Sequence, residues 1–152
     1  MDNNDILRRI RFTFDFGDDT MIRMFAQGGY EVTRADVSDW LKREDDEAFD
    51  PLDDRMLAVF LNGLIAEKRG AKSEEFPEPE EALNNNIILR KLKIAMNLQS
   101  DDMLEMFASV DKPISPHELS AFLRNTKQHK FRVMNDQYLR HFMNGFQKRF
   151  KK

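Results

Sequence analysis

The sequence contains an internal repeat that spans most of its length. Displaced by 82 positions, residues 3 to 67 align with residues 85 to 149 without a gap. Ile6-Leu7-Arg8 aligns with Ile88-Leu89-Arg90, and Asn62-Gly63 aligns with Asn144-Gly145. A match over this length is typical of a duplicated structural unit, because the same apolar and turn positions recur in both copies. The sequence therefore predicts two tandem copies of one small domain.

Helix start signals divide each copy into four predicted α-helices. The first helix follows an Asn pair that is suited to N-capping, Asn3-Asn4 or Asn85-Asn86, and ends near Phe16 or Leu98. The second begins at acidic residues, which suit the positive end of the helix dipole. These second-helix starts are Asp18-Asp19 in the first copy and Ser100-Asp101-Asp102 in the second.

The third and fourth helices of each copy carry the clearest signals. Ser115-Pro116-His117-Glu118 is a capping box with Pro at the first helical position, and Thr33-Arg34-Ala35-Asp36 is its weaker counterpart. The fourth helix begins at Asp53-Asp54 or Asn135-Asp136. Gly63 and Gly145 mark a close helix approach or a local helix end. The predicted core of the two units consists of Phe25, Trp40, Leu57, Phe60, Phe107, Phe122, Leu139 and Phe142.

The predicted fold class is therefore all-α, with two tandem and similar four-helix units. The first unit comprises residues 1–70 and the second residues 85–152, joined by an acidic Pro- and Glu-containing linker over residues 71–84, which we expect to be exposed. A unit of this size buries only about 60% of its unfolded surface. We therefore expect the two copies to pack on each other, or each on a copy from another chain.

Charge is distributed unequally between the copies. Residues 1–70 contain 10 basic and 16 acidic residues, a net charge of −6. The linker carries one Lys and five Glu, and residues 85–152 contain 13 basic and 6 acidic residues, a net charge of +7. Opposed charges of this kind indicate either that one half meets a polyanion or that the two halves meet each other.

Several segments together resemble a known bacterial family. These are Asn-Asn-x-Ile-Leu-Arg-Lys-Leu-Lys-Ile-Ala at 85 to 95, Ser-Asp-Asp-Met-Leu at 100 to 104, His-Glu-Leu-Ser-Ala-Phe-Leu-Arg at 117 to 124, and the linker. With them, essentially the whole chain resembles the YehS-like proteins. The resemblance implies a cytosolic protein with a duplicated domain of unknown function, and it implies no functional residues.

Apolar spacing also suggests a helix-turn-helix-like pair in each copy. Val32, Val37 and Trp40 have the required spacing, and Ile114, Leu119 and Phe122 repeat it. Ala26 and Ala108 would be the alanines that pack against the second helix, with the turn lengthened by one residue. The alternative is that two short amphipathic helices have this spacing only to form a helical core. As a helix-turn-helix, the pair would place the start of its second helix in a DNA groove.

If either copy contacts nucleic acid, the charges favour the second. In the first copy, Asp36, Asp39 and residues 44–47 would bring carboxylates towards phosphates, which opposes binding. The leading functional hypothesis is a regulatory or nucleic-acid-associated binding protein that acts through its basic second repeat. The candidate contact residues are His117, Ser120, Arg124, Lys127, Lys130 and Arg132.

A protein–protein interaction or self-assembly module is the alternative hypothesis. The acidic copy of one chain would pair with the basic copy of another, and charge complementarity would set the orientation. A further alternative explains the charges equally well: the acidic and basic residues lie on solvent-exposed faces of the two copies, and these faces diverged after the duplication.

The sequence indicates no enzyme, no metal site and no cofactor. His117, His129 and His141 fall on separate elements without a helical partner or a Cys nearby, and the chain contains no Cys. The Asp pairs at helix starts are explained by capping rather than by a divalent cation. We expect a cytoplasmic protein without a signal peptide, a membrane segment or an evident small-molecule ligand.

Overall fold

A computed structural model describes residues 1–70 and 77–152, and within those ranges the chain forms eight α-helices and no β-strand. The predicted all-α fold of two similar four-helix units is confirmed. The helices are α1 (Asn3–Phe14), α2 (Asp18–Gln27), α3 (Arg34–Leu41), α4 (Asp54–Arg69), α5 (Asn85–Ala95), α6 (Ser100–Ala108), α7 (Pro116–Leu123) and α8 (Asp136–Phe150). We call α1–α4 the first repeat and α5–α8 the second.

The capping signals locate most helix starts. Thr33 and Ser115 cap α3 and α7 in full capping boxes, and Asp53 and Asn135 cap α4 and α8, as the sequence predicted. The first helices differ, because the N-caps are Asp2 and Asn84 rather than the Asn pairs. Both helices also end earlier than predicted, at Phe14 and Ala95, because Asp15 and Met96 take the C-cap positions.

The fourth helix of each repeat is the centre of its packing. Residues 57–64 of α4 are all buried, so this helix has no solvated face over two turns. α4 packs on α2 within the first repeat, and α8 packs on α6 within the second. A Cβ atom built on Gly63 would lie 1.7 Å from the carbonyl oxygen of Met24, and one on Gly145 would lie 2.2 Å from that of Met106. Both glycines therefore mark a close approach of two helices, not a helix end.

The Gly63→Ala variant is expected to lose about 1–3 kcal/mol of unfolding free energy. Alanine favours the helix by about 1 kcal/mol over glycine, but its methyl group would meet backbone that cannot move aside without separating α2 from α4. Urea denaturation followed by circular dichroism measures the loss. The control is Gly17→Ala, where an added Cβ has nothing within 4 Å. Equal stabilities for the two variants would contradict the close helix contact.

The two repeats pack on each other around an approximate twofold axis. α4 packs on α5 and, correspondingly, α1 packs on α8. Lys91 donates to the side chain of Asn62 at 2.6 Å, while Arg9, which aligns with Lys91, donates to that of Asn144, which aligns with Asn62. Such reciprocal contacts are the property of an isologous interface. Of the two packing arrangements expected from the sequence, the first therefore occurs within this chain.

One apolar core runs through both repeats. It includes all of the predicted core positions: Phe25, Trp40, Leu57, Phe60, Phe107, Phe122, Leu139 and Phe142. The ring of Phe14 in the first repeat meets that of Phe146 in the second edge-on, with centroids 5.8 Å apart. Because the aromatic contacts cross the interface, the repeats bury apolar surface that each would otherwise expose.

The predicted linker is only partly exposed. Its residues 71–76 lie outside the residues that the structure describes. Among those that follow, Pro79, Glu80 and Leu83 are half-buried. Glu80 forms an ion pair with Lys91 at 3.0 Å, and the Leu83 N–H donates to Asp54 at 2.9 Å. These residues of the linker that we expected to be exposed are therefore only partly exposed, and Glu80 and Leu83 are held by their contacts to α5 and α4.

Candidate nucleic-acid interface

The candidate residues of the second repeat lie on α7 and on the segment that follows it, residues 124–135, which we call the basic loop. Asn86 on α5 holds the two ends of this segment together. Its side-chain amide donates to the carbonyl of Phe122 at 3.0 Å and to that of Arg132 at 2.9 Å, and its Oδ1 accepts from the Met134 N–H at 2.9 Å. Asn86 is 2% exposed. A buried side chain with three backbone partners fixes the loop to the core.

The first repeat contains the same arrangement. Asn4 donates to the carbonyls of Trp40 and Asp50, each at 2.9 Å, and accepts from the Leu52 N–H at 3.0 Å. The corresponding segment, residues 42–53, is called the acidic loop here. Our sequence reasoning assigned the Asn pairs to helix capping and missed this long-range role. The signal available was that Asn3-Asn4 and Asn85-Asn86 align with each other.

The two loops carry opposite charge on this shared framework. The basic loop, residues 124–135, contains four Lys and Arg residues, one His and no Asp or Glu. The acidic loop, residues 42–53, contains two Lys and Arg residues and six Asp and Glu residues. Of the aligned pairs, Asp45 corresponds to Lys127, and Glu47 to His129. The difference is therefore confined to side chains that the common backbone holds at matching positions.

Both candidate arginines, Arg124 and Arg132, make contacts within the protein. Arg124 donates to the carbonyl of His129 at 2.9 Å and to the hydroxyl of Ser120 at 3.5 Å. These bonds bring α7 and the basic loop into one surface. Arg132 forms a 3.4 Å ion pair with Glu118 and lies 5.6 Å from the ring centre of Phe122. Both guanidinium groups therefore hold α7 and the basic loop together and also contribute positive charge to this surface.

The remaining candidates are exposed. His117, Ser120, Lys127 and Lys130 are all solvent-exposed. The Nζ atoms of Lys127 and Lys130 make no hydrogen bond to any residue in the ranges 1–70 and 77–152. A phosphate that binds these two ammonium groups would therefore displace only water and counterions. The free-energy cost of desolvating the ammonium groups is small compared with their attraction to the phosphate.

Glu118 is the carboxylate of α7 that contacts this surface. Its pKa is lowered, first because the Ser115 backbone N–H donates to it, and further by hydrogen bonds from the Ser115 side chain and Tyr138 and by the charge of Arg132, while burial opposes the shift. The carboxylate is therefore ionised at neutral pH and engaged in the capping box. The Glu118 carboxylate offsets part of the charge of Arg132, but it forms no ion pair with Lys127 or Lys130.

The helix pairs α2–α3 and α6–α7 lack the packing of a helix-turn-helix. Ala26 and Ala108 are exposed, so our expectation that these alanines pack against the following helix was wrong. Residues 28–33 and 109–115 separate the paired helices, which is longer than the three or four residues of that motif. The buried spacing of Val37 and Trp40 instead serves the helical core, as the alternative interpretation held.

The basic C-terminal end is largely occupied by internal contacts. Lys148 donates to the carbonyl of Ser109 at 2.7 Å, and Lys151 donates to that of Phe12 at 3.0 Å. Arg149 pairs with Asp102 at 3.0 Å. These cations hold α8 against the first repeat and against α6.

Neither a metal site nor a membrane-spanning helix is present in the residues that the structure describes. Within residues 1–70 and 77–152, no group of three or more His, Asp or Glu side chains is arranged to hold a metal ion. The three histidines lie apart, with His117 and His129 exposed and His141 half-buried. No helix in the described part of the chain has the length and apolar character needed to cross a membrane.

The geometry defines a class of protein: two four-helix repeats packed about an approximate twofold axis, with loops of opposite charge. The chain belongs to the family described as protein of unknown function (DUF1456), which matches residues 3–70 and 85–151. It is similar to a protein of Escherichia coli (strain K12) described as uncharacterized protein YehS, with 41% identity over 145 residues, covering 94% of this chain and 92% of that protein. No solved structure matches the chain. The YehS-like resemblance inferred from sequence is confirmed.

Proposed function

We propose that the protein is a non-enzymatic, cytoplasmic nucleic-acid-binding protein whose basic loop contacts the phosphate backbone. The observation that carries the proposal is the charge inversion between the two aligned loops. Each loop is held by a buried Asn at the aligned position, Asn4 or Asn86, yet only the second loop combines exposed cations with the absence of any carboxylate. Contacts to the phosphate backbone give affinity but do not read the bases, so we expect binding that is independent of nucleotide sequence.

Electrostatics supports binding through one repeat only. Lys127 and Lys130 approach an anion without a carboxylate between residues 119 and 135 to oppose them. The acidic loop would repel the same anion. A single loop with a few exposed cations neutralises a few phosphates, so binding is expected to be weak and strongly dependent on salt.

Fluorescence anisotropy with labelled duplex DNA and single-stranded RNA tests this function. The wild-type protein is expected to bind at about 50 mM salt and to weaken linearly in log–log form as salt rises. The Lys127→Glu/Lys130→Glu variant should bind at least about tenfold more weakly, with a salt slope smaller by about two. Arg11→Glu/Arg43→Glu is the matched control, because it reverses two exposed arginines of the first repeat and changes the net charge equally.

Two outcomes would reject the proposal. One is the absence of binding to either polymer at about 50 mM salt. The other is an equal loss of affinity in the loop variant and in its control, which would reduce the effect to net charge.

Self-association is a second candidate function, favoured by the complementarity of the same two loops. The acidic loop of one chain would meet the basic loop of another, in a head-to-tail contact. Light scattering across the same salt series distinguishes this function: the mass should fall as salt rises, and Lys127→Glu/Lys130→Glu should be monomeric throughout. A monomer at all salt concentrations excludes it.

A further inference from the structure

The second repeat contains a surface cleft beside the basic loop. Its volume is about 420 Å³. Three separate segments form it: the turn between α6 and α7, the end of the basic loop, and the first turns of α8. The lining residues are Lys112, Pro113, Ile114, Arg132, Asn135, Gln137, Tyr138 and His141.

The lining is basic and includes no carboxylate. Lys112, Arg132 and His141 contribute cationic or proton-donating groups, and Asn135 and Gln137 contribute amides. Across the described ranges, neither Lys112 Nζ nor the imidazole of His141 makes a hydrogen bond to the protein. Glu118 lies at the edge of the cleft, where its carboxylate accepts hydrogen bonds from Arg132 at 3.4 Å and from the Tyr138 hydroxyl at 3.3 Å. Its negative charge is therefore already paired within the protein.

The N-terminus of α8 adds to the positive potential. Asn135 caps this helix by accepting a hydrogen bond from the Tyr138 N–H at 3.0 Å, and Asn135 and Tyr138 both line the cleft. The first turn of a helix carries a partial positive charge, which favours an anion placed near it. The helix alone would not make a site, but here it adds to three converging side chains.

The first repeat serves as an internal comparison. At the positions aligned with the cleft it has Glu31, Asp50 and Asp53, where the second repeat has Pro113, Arg132 and Asn135. Tyr30 and Val59 stand where the cleft has Lys112 and His141, and Val59 is 2% exposed and packs against Gly28. The second repeat therefore has no carboxylate at these aligned positions and has three basic groups around the cleft, whereas the first repeat has one, Arg55, which aligns with Gln137.

We propose that this cleft binds the phosphate of a nucleotide. Arg132 and Lys112 would hold the phosphate oxygens, since guanidinium groups bind them in a bidentate manner and ammonium groups as point charges. Ile114 and Pro113 provide an apolar wall for a base, and the amides of Asn135 and Gln137 provide hydrogen bonds for polar edges. The volume lies within the range of small-molecule sites, which are about 300–1,000 Å³, and it exceeds what one phosphate ion fills.

This proposal goes beyond the polymer binding proposed above and does not depend on it. Arg132 belongs to both surfaces, so the test uses Lys112 and His141 instead. The same chemistry is offered by a free nucleotide and by a nucleotide unit of a nucleic-acid chain. Both sources present a phosphate joined to a sugar and a base, and competition separates them.

Isothermal titration of the full chain with adenosine 5′-monophosphate tests the cleft, with adenosine and inorganic phosphate as partial ligands. We expect the nucleotide to bind, adenosine not to bind, and phosphate to bind more weakly than the nucleotide. The Lys112→Tyr/His141→Val variant, which installs the residues of the first repeat, should lose at least about tenfold in affinity. If it does not fold, Lys112→Glu changes an exposed side chain and serves instead.

Lys127→Glu/Lys130→Glu is the control, since it lies outside the cleft and should retain nucleotide binding. Displacement of a labelled oligonucleotide by the nucleotide would assign the cleft to a unit of a polymer, and binding without displacement would assign it to a free nucleotide. No binding at about 1 mM nucleotide would overturn the proposal. So would equal affinity for adenosine, or unchanged affinity in the cleft variant. If nucleotide binds but neither nucleic-acid polymer does, the function proposed above is rejected and the nucleotide site in the cleft is retained.

Discussion

The Trp40→Ala variant is expected to lose about 3–5 kcal/mol of unfolding free energy. Trp40 is 8% exposed, and its ring centre lies 5.2 Å from that of Phe25, which in turn lies 5.2 Å from Phe60. Its indole N–H also donates to Asp50 at 3.1 Å. Alanine would remove the aromatic contact between α3 and α2, together with the hydrogen bond to Asp50, and leave a cavity in the core.

Urea denaturation followed by circular dichroism is the measurement, because the substitution removes the chain's single tryptophan. Two controls sharpen the result. Trp40→Phe installs the residue of the second repeat, Phe122, and should lose less than alanine does, since most of the aromatic packing is kept. Tyr30→Ala removes an aromatic ring that is 51% exposed and should change stability by about 0.5 kcal/mol at most. A loss below about 1 kcal/mol for Trp40→Ala would contradict the packing described.

Asn86→Asp is expected to destabilise the protein by about 3 kcal/mol or more, although it changes the side-chain volume little. The amide nitrogen donates to two backbone carbonyl oxygens, those of Phe122 and Arg132. An aspartate oxygen in its place would bring negative charge against both carbonyls in a site that is 2% exposed. The loss therefore measures the polar network rather than a cavity.

The same substitution at Asn125 is the control. Asn125 is exposed, and its side-chain oxygen accepts a hydrogen bond from the Lys127 N–H at 3.0 Å, which aspartate would preserve. We expect Asn125→Asp to stay within about 0.5 kcal/mol of the wild type. If Asn86→Asp were equally mild, the loop would not be held through this amide, and the shared framework of the two loops would need another explanation.

Helix starts could be predicted from sequence where the signal is local. Ser115 and Thr33 bond to residues three positions ahead, and their spacing is visible in the chain itself. The Asn pairs were misassigned because a buried amide and a capping amide have the same sequence context. Asn4 bonds to carbonyls 36 and 46 residues away, and only the folded chain brings those groups together.

In the candidate site, too, local features could be predicted from the sequence and long-range contacts could not. The basic character of residues 124–132 is a property of composition, so it could be predicted. Which cations are engaged could not, because the partner of Arg132 is Glu118, on the preceding helix, and that of Arg124 is the carbonyl of His129, within the loop. The cleft could not be predicted either, since its lining comes from three segments that approach only when α8 packs on α6.

The reciprocal contacts of Arg9 with Asn144 and of Lys91 with Asn62 have a consequence for how such a protein can change. In a homodimer with an isologous interface, every substitution appears twice, so one subunit cannot gain a basic loop while the other keeps an acidic one. Joining both halves in one chain removes that restriction. Each half can vary its outer surface independently as long as the paired interface is kept. The fold thus combines the economy of a symmetric assembly with the freedom of a heterodimer encoded by a single gene.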